Sequence, residues 1–152
     1  MKVGIKMNSL ILTGRLTKEV EIKEITKKNG EITNIGTGTI AVAKSKDQAD
    51  FFHFKIWGDK AQNLKEYTTK GSNIQLQGKL KQNTFETESG KQFFTYMLVL
   101  NFETSDSKSV TESLRAKNEQ EENPFNNTDK DSVNNMKGYE EMENAEDDDL
   151  PF

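Results

Sequence analysis

Phe51, His53, Lys55 and Trp57 alternate with Phe52, Phe54 and Ile56 in one short stretch. On a β-strand, whose side chains point to opposite faces in turn, the two sets lie on different faces. The set Phe52, Phe54 and Ile56 is ordinary core material. The other is not, because two aromatic rings bracket two polar side chains able to carry positive charge. Lys79, Lys81 and Phe85 repeat the combination further along, again at odd-numbered positions. Such a surface suits a single-stranded nucleic acid: each base stacked on an aromatic ring contributes about 1–3 kcal/mol, and lysines meet phosphates without reading sequence. Exposed rings otherwise need cover, so a second layer of protein, including another copy of the chain, is the competing explanation. His53 shares the face and is read as a stacking or phosphate-bonding residue without catalytic work.

Other chemistries find little material. The chain has one histidine and no cysteine, so a thiolate or histidine metal centre and a Ser-His-Asp triad are not expected. Gly78-Lys79 is followed by Leu80 where a phosphate-binding loop needs Ser or Thr, and no preceding glycine pattern supports it. A nuclease needs clustered carboxylates and arginines, whereas the region before residue 105 holds only Arg15. Asn126-Asn127-Thr128 fits a glycosylation sequon, which matters only on secretion. The expectation is a non-enzymatic protein without cofactor or metal. An RNA-binding module is the alternative, since rings and lysines do not tell ribose from deoxyribose.

Charge divides the 152 residues in two. Residues 1–104 carry 16 Lys and Arg against 11 Asp and Glu, whereas residues 105–152 carry 5 against 14. The net values of +5 and −9 are hidden in a total of −4. A basic body fits a polyanion as partner. No apolar run approaches the roughly 20 residues of a membrane span, and no signal peptide is visible. A cytoplasmic location and no membrane partner are expected.

The elements that must hold the aromatic face read as strands. Ser9 to Leu16 is a first strand interrupted by Gly14, which marks a bend or a close backbone approach. Glu21 to Thr26 is an extension or a short strand of its own, and Asn29-Gly30 supplies the positive φ angles of a hairpin turn. Ile32 to Ala43 follows, with Gly36 and Gly38 allowing strong curvature. Lys44 to Asp50 reads as a loop. After Trp57, Asp59 and Gln62 suggest a capping box, with a helix carrying Ala61 and Leu64 inward and Gly71 as its stop. Asn73 to Lys81 points Ile74, Leu76, Gly78 and Leu80 to the core. Gln92 to Phe102 is apolar on both faces. Five strands with one helix between the third and fourth give an all-β, Greek-key barrel in the order of an oligonucleotide/oligosaccharide-binding (OB) fold, spanning residues 1–104.

From Ser105 onward the apolar period stops. Such a segment buries too little apolar area to offset an ordering cost of about 1–2 kcal/mol per residue, so residues 105–152 read as a disordered acidic tail, with a transient helix around Val110 to Glu121. It ends in Asp147, Asp148, Asp149, Leu150, Pro151 and Phe152. An apolar tip beside acids fits a pocket with a basic rim, a recurring mode of peptide capture.

Taken together, the Phe51/Trp57 pair before Gly58, the Lys70-Gly71-Ser72 entry to the next strand with Gly78 within it, and the Asp-Asp-Asp-Leu-Pro-Phe ending resemble the bacterial and phage single-stranded DNA-binding protein family. The resemblance covers about residues 7–103 and the last six residues. It implies an OB fold, a homo-oligomer, commonly a tetramer, and the coating of single-stranded DNA with little sequence preference during replication, recombination and repair. Phe51, Trp57 and Phe85 match the family's base-stacking positions. The tip, with Leu150 where isoleucine is usual, matches its docking peptide for replication, recombination and repair proteins. Lys44 to Asp50 lacks the further aromatic that many members carry there, which leaves the length of the DNA path open.

Overall fold

The computed structural model describes residues 4–122. Among these residues, six strands rather than five form the sheet, together with two helices: β1 (Leu10–Leu16), β2 (Glu21–Thr26), β3 (Ile32–Ser45), β4 (Gln48–Trp57), α1 (Asp59–Tyr67), β5 (Asn73–Thr87), β6 (Gly90–Thr104) and α2 (Lys108–Glu121). The strand order is β1-β5-β6-β4-β3-β2, and a β1–β3 pairing at Arg15↔Ala41 and Leu16↔Ile40 closes an OB-like barrel. Only β4 and β6 run parallel, through Phe54↔Met97 to Ile56↔Val99. The sixth strand arises because β2 pairs with β3 as its own hairpin, turned at Asn29-Gly30 with Gly30 at φ 87° and the Asn29 side chain accepting from the Glu31 N–H. The first helix therefore lies between the fourth and fifth strands.

Curvature follows from the glycines. A Cβ on Gly14 would run into the Ala41 carbonyl, where β1 meets β3, and one on Gly38 would meet the Phe54 ring. The bare backbone lets the closing strand and the largest core ring approach. Leu16, Val20, Ile40, Phe54, Ile56, Leu76, Met97 and Val99 fill the interior, and α1 covers one end with Ala61 and Leu64. The N-cap of α1 is Gly58 at φ 74°, with no side-chain cap, so Asp59 is the first helical residue and no capping box forms. The helix stops before Thr68, ahead of Gly71.

Three further expectations are corrected. Lys44 to Asp50 is not a loop: β3 and β4 run on as a ribbon to a tight turn at Lys46-Asp47. Phe52 and Leu80 keep the inward parity but are 43% and 48% exposed. At Phe52, β4 has parted from β6, whose pairing begins at Phe54. At Leu80, β1 has ended, and the Asn8 side chain bonds the Leu80 N–H and carbonyl in place of a strand. Parity is preserved; the barrel wall is not.

Residues 108–121, read as part of a disordered tail with a transient helix around Val110 to Glu121, form the stable helix α2. Ser107 caps its N-terminus by accepting from the Val110 N–H. Its Thr111, Leu114, Asn118 side sits on the corner between α1 and β5: Arg115 donates to the Glu66 and Thr68 carbonyls, and Asn118 to the Thr69 hydroxyl and the Lys70 carbonyl. Asp106 accepts the Asn73 N–H at 2.8 Å just before the helix. Polar bonds rather than apolar area dock it, which is why composition shows the helix only as transient. The residues expected to dock partners, Asp147, Asp148, Asp149, Leu150, Pro151 and Phe152, lie outside the described residues.

Candidate nucleic-acid interface

Residues directly opposite one another in a ladder share a face, so register decides what the surface holds. Leu98 pairs with Lys55 of β4 on one side and with Lys79 of β5 on the other. From that junction the face extends along β4 through His53 to Phe51 and the other way to Trp57. Along β5 it extends through Lys81 and Asn83 to Phe85. Phe51, His53, Lys55, Trp57, Lys79, Lys81 and Phe85 thus occupy one continuous side of the sheet, opposite the core residues Phe54, Ile56 and Met97.

Two rings that sequence reasoning missed join them. On β6, Tyr96 stands across from Lys81 and Phe94 across from Asn83. The His53 and Phe94 rings are 5.8 Å apart at 38°, and Phe94 and Tyr96 stack at 6.1 Å. Their alternate spacing was a visible signal, like that of Phe51 and Trp57. It was masked because neighbouring Phe93, Met97 and Val99 made the strand look apolar on both faces.

Exposure grades the face. Phe51, opposite the small Ala41, is 64% exposed and offers a ring to solvent. Trp57, His53, Lys79, Lys81, Phe85 and Phe94 are half-buried. Lys55 is only 9% exposed, its Nζ 4.4 Å from the Tyr96 ring centroid, a cation–π distance. His53 Nδ1 shares a 3.0 Å hydrogen bond with the Thr39 hydroxyl, its neighbour on β3. Burial first, and then the positive charge of Lys18, hold its imidazole below the ordinary histidine value of 6.5. That lowering favours the uncharged ring.

Two ribbons lengthen the surface. β5 and β6 continue beyond the barrel to a turn at Glu88-Ser89, carrying Phe85 roughly 20 Å along the strand from Lys79. The β3–β4 ribbon borders a groove of about 790 Å³ lined by Arg15, Lys44, Lys46, Asp50 and Phe51. The groove's three cations, Arg15, Lys44 and Lys46, stand beside two carboxylates, Asp47 and Asp50, and Phe51 is its one ring.

A model of the Single-strand binding protein family matches residues 7–105, about two thirds of the chain. The chain belongs to that family. Among its members, Single-stranded DNA-binding protein 2 of Staphylococcus aureus strain COL is 29% identical over 136 residues, covering 82% of this chain and 95% of the relative. Single-stranded DNA-binding protein 3 of Streptococcus agalactiae serotype V is 24% identical over 150 residues, covering 96% and 99%. Single-stranded DNA-binding protein of Clostridium perfringens is 31% identical over 104 residues, covering 66% and 67%. The family match takes in every strand of the barrel and the whole of the aromatic and basic face, and it ends just before α2. In this member of the family, no helix among the described residues is long and apolar enough to cross a membrane.

Proposed function

We propose that this chain binds and coats single-stranded DNA with little sequence preference, as a binding protein rather than an enzyme, in cytoplasmic replication, recombination and repair. The observation that carries the reading is the register that gathers Phe51, His53, Lys55, Trp57, Lys79, Lys81 and Phe85 on one side of an OB-like barrel. Rings take bases, and Lys79 and Lys81 take phosphates. Phe94 adds a platform between the two strands. The names of the family relatives support DNA as the polymer.

The segment Asp147 to Phe152 recruits replication, recombination and repair proteins, its Leu150, Pro151 and Phe152 entering a pocket with a basic rim. The active form is a homo-oligomer, with a tetramer favoured by the family resemblance. In support, among the described residues β1 carries no partner strand beyond β5 over residues 10–14, and the large apolar side chains of Ile11, Phe52 and Leu80 are exposed.

Fluorescence titration with oligothymidine tests the reading. Trp57, the sole tryptophan, should be quenched, and Trp57→Ala should weaken binding by about 1–3 kcal/mol. The logarithm of affinity should fall with that of salt at roughly −0.7 per phosphate neutralised. Oligouridine competing as well as oligothymidine would favour an RNA module instead. A folded protein showing neither quenching nor salt-dependent binding would exclude the face as a DNA site.

A further inference from the structure

Asn83 is the one described side chain with an enclosed polar atom that finds no partner. It lies on β5 between Lys81 and Phe85, on the side that carries the aromatic and basic surface, and pairs directly with Phe94. Its Oδ1 is buried and accepts no hydrogen bond. An oxygen in that position has given up water and received nothing in return, which native proteins rarely tolerate. Asparagine is also a poor strand residue; a threonine or valine would serve the ribbon better. A position that breaks local rules without structural compensation is where a ligand contact is expected.

We propose that Asn83 contacts base edges: on binding, its amide turns outward to a base stacked on the flanking rings, Phe85 along the strand and Phe94 across it. This rests on the single-stranded DNA reading above and adds a contact different in kind from stacking and phosphate neutralisation. The chemistry suits a strand of any sequence. The amide offers both a donor and an acceptor. Each base presents both on its Watson–Crick edge: thymine N3–H beside a carbonyl, cytosine and adenine an exocyclic amine beside a ring nitrogen, guanine N1–H beside O6. Unpaired strands leave these edges open. One rotatable amide therefore finds a match on every base, favouring real bases over apolar rings of the same shape without ranking the four.

A double-mutant cycle tests this. Wild type and Asn83→Leu are titrated with oligothymidine and with an oligomer of equal length whose thymines are replaced by 2,4-difluorotoluene, which keeps the shape and stacking but not the hydrogen-bonding edge. Wild type should lose affinity on the replacement. Asn83→Leu should lose about two- to tenfold on oligothymidine and little on the isostere, so the two changes are coupled by that factor. Asn83→Leu should also melt no lower than wild type, because the orphan oxygen is gone; Asn83→Thr serves should the leucine variant misfold. Equal isostere penalties in wild type and variant, with oligothymidine still bound, overturn the Asn83 contact alone. Absence of oligothymidine binding by wild type overturns the parent reading instead.

Discussion

The Lys55 ammonium stands 4.4 Å from the centroid of the Tyr96 ring, on the side of the sheet that faces away from the core. A cation so placed is held by the ring and, at 9% exposure, meets solvent little. Lys79 and Lys81, across β6 on β5, are less buried. Lys55→Met should therefore cost about 0.5–2 kcal/mol in stability through the lost cation–π contact. It should flatten the salt dependence of DNA binding less than Lys79→Ala or Lys81→Ala, each of which should reduce the slope by roughly 0.7. Denaturant melts and titrations at several salt concentrations measure the two effects. Equal slopes for all three variants would make Lys55 an ordinary phosphate contact.

His53 makes the same surface respond to acid. Its folded pKa lies below the unfolded value of 6.5, through burial and then Lys18. The native state thus binds fewer protons than the unfolded chain in the window just below that value, and stability falls as pH drops through it. Lys55, on the same strand and the same face, adds no negative charge to counter this. A DNA phosphate would, so the imidazole should gain protons more readily in the complex. Affinity for oligothymidine should rise as pH falls from about 7 toward 5. His53→Gln should flatten both profiles; a flat profile in wild type would show that no phosphate approaches the ring.

How much of this was legible in the sequence depends on which force held each residue. The period-two division of β4 survives because Phe54 and Ile56 bury fully and so orient their neighbours. Asn29-Gly30 was legible because a positive φ leaves a chemical signature. Lys44 to Asp50 was not, since a ribbon beyond the barrel is wetted on both sides and shows no alternation. Phe52 and Leu80 had the right parity, but their exposure depends on where β6 and β1 stop pairing, which no local pattern records. Phe94 and Tyr96 needed the β5–β6 register to be placed beside lysines.

The second helix was legible in position but not in its stable docking, because polar bonds hold it, and those bonds give a prediction. Arg115 donates to the Glu66 and Thr68 carbonyls at the end of α1, which otherwise lack helical partners. Arg115→Ala should cost roughly 1 kcal/mol and lower the melting temperature by on the order of 4 °C. DNA affinity should hold, because none of the face residues is among the bonding partners of α2. A calorimetric scan alongside an oligothymidine titration separates the two. An unchanged melt would mean that α2 leaves the α1 corner in solution.

Docking of α2 also changes where the acidic tail should be cut. Residues 123–152 carry 9 acidic and 2 basic side chains, a net −7, whereas residues 1–122 carry a net +3. A polyanion tethered to a basic body competes with DNA for it at the effective concentration its tether allows. Removing residues 123–152 keeps Arg115 and Asn118 in place and takes away only the competitor. Oligothymidine should then bind more tightly at low salt, and the advantage should vanish as salt screens beyond a Debye length of about 10 Å at 0.1 M. Cutting at residue 105 instead removes the α2 contacts and should lower stability as well, so the two truncations differ in melting temperature while sharing the gain in affinity. If the shorter truncation leaves low-salt affinity unchanged or weaker, the tail does not compete for the face.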